Sequence, residues 1–251
     1  VYVSQALSRM GVDVRLCAVV GDDESGKRML RDLQAFPVDC SMVRMLPNSD
    51  TTRSIVICDG PEKDFKGCSP MLPLYIPDIE DLGGAELLYV AGYVLYPELW
   101  TAEARDLLKK AKERGITVAL DVQMFPVEGI DQLEFSHLEG VLPYVDIFFC
   151  SEETAKLTFL KEGDLHSVMK SFTQEYPISI VASTQRVVHS PKVHTFGSVI
   201  YNAKEDKFYE EEPYHNIEVV DRIGSGDAYI SGALYGLLAH DSVSYTHLRA
   251  H

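Results

Sequence analysis

Positive charge is what this sequence most lacks. Its 251 residues carry 23 Lys and Arg against 38 Asp and Glu, a formal charge of -15 at pH 7. Such a surface repels a phosphate backbone over most of its area, which argues against a nucleic-acid partner but leaves room for a small anion held by local donors. Cysteine is sparse: Cys17, Cys40, Cys58, Cys68 and Cys150 are scattered and form no Cys-x-x-Cys pair. Zinc-ribbon and dithiol redox sites are thereby excluded, and reduced core thiols are expected. Long apolar runs are missing as well. No stretch reaches the roughly 20 apolar residues of a membrane helix, and no signal-peptide pattern opens the chain, so a cytoplasmic protein with no membrane partner is expected. The Gly-x-Ser-x-Gly elbow, the Walker-type loop and the His-Glu-x-x-His pair are absent too, which removes the usual sites of serine hydrolases, P-loop kinases and zinc peptidases. The histidines read as loop residues, and no internal repeat or low-complexity linker is visible.

What is present is a 46% hydrophobic chain able to fill one sizeable core. Val3, Ala6, Leu7 and Met10 have helical spacing ahead of Gly11, so a helix is expected almost from the first residue, with an opening segment upstream of it. Val14 to Val20 reads as a buried strand, and Gly21-Asp22-Asp23-Glu24-Ser25-Gly26 as a turn with capping acids before a helix through Met29, Leu30 and Leu33. Ile55-Val56-Ile57 and Phe65 flank the turn Asp59-Gly60-Pro61, predicting a hairpin that could serve as a flap over a ligand. From residue 86 the order becomes regular. Strands are expected at Leu87 to Ala91, Thr117 to Asp121, Val145 to Cys150 and Ile178 to Ala182, with helices at Leu99 to Arg114 and after the Ser151 cap. This alternation implies a mainly parallel sheet with helices on both faces, followed by a hairpin over residues 194 to 212. Tyr89, Tyr93, Tyr96 and Trp100 read as core aromatics. Glu210-Glu211-Glu212 reads as a solvated strand edge.

The chemistry concentrates at Asp221-Arg222-Ile223-Gly224-Ser225-Gly226-Asp227, which leads into the apolar run Ala228 to Leu238. A glycine turn opening a helix can aim successive N–H groups and the positive end of the helix dipole at one point, so an anion is the natural guest. Asp227 would repel that anion. The conflict disappears if Asp227 takes the proton of an acceptor hydroxyl while the amides of Gly224, Ser225 and Gly226 hold charge on a transferred phosphoryl group. Taken alone, the four residues also fit an ordinary helix-start turn.

Together, these residues resemble the Asp-Thr-x-Gly-Ala-Gly-Asp signature of the PfkB, or ribokinase-like, carbohydrate kinases. Gly21 to Lys27 resembles the family's first signature, and Leu142-Pro143-Tyr144-Val145-Asp146 resembles the segment ahead of its metal-associated Asn-x-x-Glu motif. The resemblance implies a ribokinase-like three-layer α/β/α sandwich over residues 1–240, with a mainly parallel central sheet and a small β lid at about 52–68. It leaves 241–251 as an atypical tail. By the same likeness Asp227 is the catalytic base and Gly224, Ser225 and Gly226 form the anion hole. Ser183, Gln185, Asp221, Gly224 and Gly226 would contact ATP, and Mg2+ would travel with the nucleotide. Ser151-Glu152-Glu153-Thr154 stands where the family shows Asn-x-x-Glu, which points to Glu153, or its neighbour Glu152, as the metal-associated acid. The stretch from Ser183 to Gly224 looks most like 2-keto-3-deoxygluconate kinases. Asp121-Val122-Gln123-Met124-Phe125, however, lacks the arginine of that subfamily's Asp-Leu-Asn-Tyr-Arg, and its lid tyrosine and arginine are not evident around Phe65-Lys66-Gly67-Cys68. The expected activity is ATP-dependent phosphorylation of a sugar or sugar acid. A neutral sugar such as fructose or ribose, or a non-catalytic sensor, are the alternatives. Homodimerisation through the lid is also expected.

Overall fold

The computed structural model describes residues 1–59, 62–67, 71–122, 135–190, 192–221 and 223–240, with backbone alone at 56–59, 62–67, 135–136, 153, 157–158 and 240. In chain order the first elements are α1 (Tyr2–Arg9), β1 (Val14–Arg15), β2 (Ala18–Gly21), α2 (Glu24–Gln34), β3 (Val38–Asp39), β4 (Val43–Leu46), β5 (Ser54–Asp59) and β6 (Glu62–Gly67). Then follow β7 (Leu87–Val90), α3 (Ala102–Glu113), β8 (Thr117–Asp121), α4 (Phe135–Glu139), β9 (Ile147–Phe149), α5 (Glu152–Thr158) and α6 (Leu165–Glu175). The chain continues with β10 (Ile180–Ser190), β11 (Val193–Asn202), β12 (Lys207–Glu210), β13 (Tyr214–Glu218) and α7 (Ser225–His240). Packing gathers these into two compact units: Val1–Tyr75 with Val187–Thr195 and the stretch from His215 onward, and Ile76–Arg186 with Phe196–Tyr214. Among the described residues no helix is long and apolar enough to cross a membrane.

The second unit carries the strand and helix alternation that the sequence announces. β7, β8, β9 and β10 pair in parallel, in the sheet order β12-β11-β10-β9-β8-β7. Because side chains alternate along a strand, Val118, Leu120, Phe148 and Val181 all enter one core cluster. Against them α6 presents Leu165, Val168, Met169 and Phe172, a spacing of three and four residues that makes one helical face. Phe148, Phe159 and Phe172 meet edge to face at 5.0–5.8 Å between ring centroids, and burial of each such side chain contributes roughly 1.5–3 kcal/mol. One carboxylate stitches the layers: Asp146 accepts from Lys112 Nζ of α3 at 2.8 Å and from the Val118 N–H of β8 at 3.0 Å. Its carbonyl accepts from the Ser179 and Ile180 N–H groups at 2.9 and 3.1 Å. Of the aromatic group anticipated as core, Tyr93 is 1% exposed and its carbonyl accepts from the Trp100 indole N–H at 2.9 Å, with Trp100 packed against the cluster, while Tyr89 and Tyr96 are half-buried outside it.

Several element boundaries differ from the sequence expectation, among them the strand expected over Val145 to Cys150, which is confined to Ile147–Phe149. The helix expected from Leu99 begins at Ala102, since Thr101 is the N-cap, accepting from Ala104 N–H, and Pro97–Trp100 forms a 3-10 turn ahead of it. The run Val14 to Val20 is two strands. β1 pairs with β3 and β2 with β4, because the partner segment turns between Asp39 and Val43, closed by Val43 N–H on the Cys40 carbonyl at 2.9 Å. The strand expected to stop at Ala182 runs on to Ser190, gaining β11 as a neighbour beyond the last β9 pair at Ala182 and Phe149. Ser183 and Gln185 therefore lie inside β10 rather than in a turn after it.

In the first unit α1 packs on α7, and the anticipated hairpin is present: β5 and β6 pair antiparallel from Ser54 with Gly67 to Asp59 with Glu62. Among the described strands this hairpin pairs only with itself. The side chains around Phe65 and Cys68, the segment after Val122 and the tail from 241 lie outside the described residues.

Candidate active site

The chain reaches its glycine turn exposed. β13 ends at Glu218, Val220 is 95% exposed, and the Asp221 carboxylate accepts from the Ile223 N–H at 3.0 Å, bending the backbone into Gly224. Gly224 has φ +85°, a conformation that costs a side-chain-bearing residue about 1–2 kcal/mol. α7 starts at Ser225, and its first closed turn is Ala228 N–H on the Gly224 carbonyl at 2.9 Å. Helix geometry leaves the amides of Ser225 and Gly226 pointing out of that turn, at the positive end of the dipole. Further along, Tyr229, Ile230, Ala233 and Leu234 form one buried face, each at most 6% exposed, and Ser231 and Gly232 are buried beside it, so the helix is anchored by packing beyond its first turn.

Asp227 is half-buried in that first turn. Burial raises its carboxyl above the ordinary value, and Asp227's own N–H pulls it partly back. A carboxylate so shifted is a stronger base than a solvated one. It borders a cleft of about 420 Å³, whose walls are Gly224, Asp227, Ala228, Ser231 and Gly232 on one side and Tyr2, Gln5, Ala6, Arg9, Met10 and Phe36 on the other. Ser231 Oγ donates to the Asp227 carbonyl at 2.5 Å, which fixes the backbone that carries the carboxylate.

Asp221, Gly224, Ser225, Gly226 and Asp227 are thus gathered on the first unit. Ser183 and Gln185 belong to the second, on β10: Ser183 is 2% exposed, its hydroxyl buried with no partner among the described residues, and Gln185 is exposed. Glu153 stands in the first turn of α5, with its side chain outside the described atoms. Glu152 is engaged with Lys156 at 2.6 Å, one helical turn on. Among the described residues no group of three His, Cys, Asp or Glu side chains could hold a metal by itself; Mg2+ carried by nucleotide phosphates and water would need no such group. Two contributors escaped sequence reasoning. Arg9 lines the cleft with its guanidinium over Phe36, 4.8 Å from the ring centroid, and Thr51 braces the turn at Gly21. An arginine at a helix end and a threonine in a loop carry no pattern that distinguishes them.

Residues 3–251 match the family described as pfkB family carbohydrate kinase. The ATP-dependent ribose-1-phosphate kinase of Halopiger xanaduensis is 24% identical over 231 residues, 92% of this chain and 69% of that protein. The 2-dehydro-3-deoxygluconokinase structure from Thermotoga maritima superposes with a TM-score of 0.83 at 20% identity, covering 99% of this chain and 81% of that one. An E. coli protein assigned as ribokinase II, in complex with ATP and Mg2+, gives a TM-score of 0.75 at 20% identity over 99% and 79%. These likenesses show a ribokinase-like α/β fold.

Proposed function

The chain belongs to the pfkB family of carbohydrate kinases, and on that premise we propose that it transfers the γ-phosphoryl group of ATP to a hydroxyl of 2-keto-3-deoxygluconate, with Asp227 as the base. The observation that carries this reading is the half-buried Asp227 carboxylate, raised in pKa, in the first turn of a firmly anchored helix beside an open cleft. The carboxylate takes the acceptor proton. The amides of Gly224, Ser225 and Gly226 hold charge on the phosphoryl group in transit, which depends on donors already in place before the reaction. Ser183, Gln185 and Asp221 are assigned to the nucleotide, and Glu153 to its metal. Bound with ATP, Mg2+ would neutralise phosphate charge. The β5–β6 hairpin is assigned as the lid: two strands alone are marginal in water, and closing over a ligand gives such a pair a surface to bury against.

The sugar acid is favoured by the similarity to the Thermotoga maritima fold and by the stretch from Ser183 to Gly224. One feature favours a neutral acceptor such as fructose or ribose. Asp121-Val122-Gln123-Met124-Phe125 offers no arginine to pair with a substrate carboxylate. Coupled ADP assays with the three sugars, ATP and Mg2+ separate the readings. The highest kcat/KM is expected for 2-keto-3-deoxygluconate; a higher value for fructose or ribose replaces the substrate and keeps the chemistry. Thermal stabilisation by sugar without ADP release would make the chain a sensor on the kinase fold.

A further inference from the structure

The arms of the β5–β6 hairpin are tied down by contacts that phosphoryl transfer does not itself require. Gly21 N–H donates to Thr51 Oγ1 at 3.0 Å, and that hydroxyl donates to Asp23 Oδ1 at 2.5 Å. The same carboxylate oxygen accepts from Gly26 N–H at 2.8 Å, as the N-cap of α2. Thr51 is 6% exposed, so its hydroxyl works where water does not compete freely. The approach of the three segments is very close. A Cβ at Gly21 would stand 2.2 Å from the Ser49 carbonyl oxygen and 2.5 Å from Thr51 N; one at Gly26 would stand 2.2 Å from the Gly21 oxygen and 2.7 Å from Thr51 Oγ1. Only glycine at both positions permits the knot. The adjoining Thr52 reaches the other arm, its Oγ1 accepting from Leu72 N–H at 3.0 Å. Farther on, Tyr75 Oη donates to the Met42 carbonyl at 2.6 Å beneath the Arg44 guanidinium. The Thr51 hydroxyl and then the Gly26 amide hold the Asp23 carboxyl below its usual range, as a carboxylate gripped by donors should be.

We propose that Thr51 is a positioning residue for acceptor binding: through Asp23, Gly21 and Gly26 it fixes the root of the hairpin and so the angle at which the lid meets the sugar. This rests on the assignment of the hairpin as a lid, and the test separates the two. In the full chain, Thr51→Val keeps the side-chain shape and removes the hydroxyl, whereas Thr51→Ser keeps the hydroxyl. Initial rates are measured with ATP, Mg2+ and the best acceptor of the sugar panel. Thr51→Val should raise KM for the sugar roughly tenfold, with KM for ATP within about twofold, and Thr51→Ser should stay within about twofold of the parent in both. Thr51→Ala, which also removes the hydroxyl, should raise the sugar KM in the same sense, and serves where Thr51→Val does not fold. A further chain has residues 54–67 replaced by a short Gly-Ser link. If that chain keeps its sugar KM, the lid assignment fails and the proposal with it. If its sugar KM rises while Thr51→Val, or Thr51→Ala in its place, leaves KM unchanged, the positioning role alone is overturned.

Discussion

Asp227→Asn is the substitution on which the chemistry and the stability of the site part company. Asparagine has nearly the same shape and cannot accept the hydroxyl proton, so turnover should fall about 10²–10⁴-fold, the range attributed to a positioned general base. That corresponds to about 2.7–5.4 kcal/mol of barrier. Stability should move the other way. Burial raises the folded-state pKa of Asp227 above its unfolded value, so its favourable contribution is complete below the unfolded pKa and is lost as pH rises through the folded pKa. At neutral pH the carboxylate is a strain on the fold, and the neutral amide should leave the melting temperature equal or higher. Turnover is read by coupled ADP release, nucleotide affinity by calorimetric titration and folding by the melting curve. Near-wild-type kcat would remove Asp227 as the base. A melting temperature several degrees lower, with turnover lost in step, would recast the effect as misfolding and overturn the role of a buried, proton-accepting carboxylate.

Gly224 and Gly226 should respond oppositely to alanine. Gly224→Ala places a side chain at φ +85° and should cost about 1–2 kcal/mol in chemical denaturation. Gly226→Ala puts a methyl into open space, with no atom within 4 Å, and should hold or slightly raise stability while lowering kcat because the methyl occupies the approach to the helix amides. Asp146→Ala strands Lys112 and the Val118 amide at a part-buried junction and should cost about 2–4 kcal/mol with sugar and ATP KM unchanged, as urea titration and kinetics would show. The acid limb of the pH profile of kcat/KM should lie above the ordinary aspartate pKa of 3.8, in the direction of the Asp227 shift; a limb at or below that value would contradict it.

Much of the second unit was legible in the sequence because its strands and helices each obey a single period. Thr117 to Asp121 is a strand over the expected residues, and the Ser151 cap accepts from Thr154 N–H as its position suggests, whereas the helix with the buried face Leu165, Val168, Met169 and Phe172 was not anticipated. Boundaries failed where a partner, rather than the local sequence, decides. Val14 to Val20 breaks because the neighbouring segment turns at Cys40, and β10 outruns Ala182 because β11 offers it hydrogen bonds. At the site, the turn, the helix and Asp227 were readable from glycine spacing and a helix-start acid. The brace at Thr51 was not, since it depends on contacts across 28 and 30 residues that no local pattern records. The resemblance named the family, while Asp221, Ser183, Gln185 and Glu153 remain assignments for mutagenesis.

Transfer of the γ-phosphoryl group to a sugar hydroxyl under the control of Asp227 is the step that can be observed most directly. Phosphorus NMR of the chain with ATP, Mg2+ and 2-keto-3-deoxygluconate follows that transfer directly. The γ-phosphate resonance should be replaced by a phosphomonoester resonance only when sugar is present, and Asp227→Asn should slow this at least about a hundredfold. Release of inorganic phosphate without a sugar phosphate, or an equal rate in the variant, would contradict it.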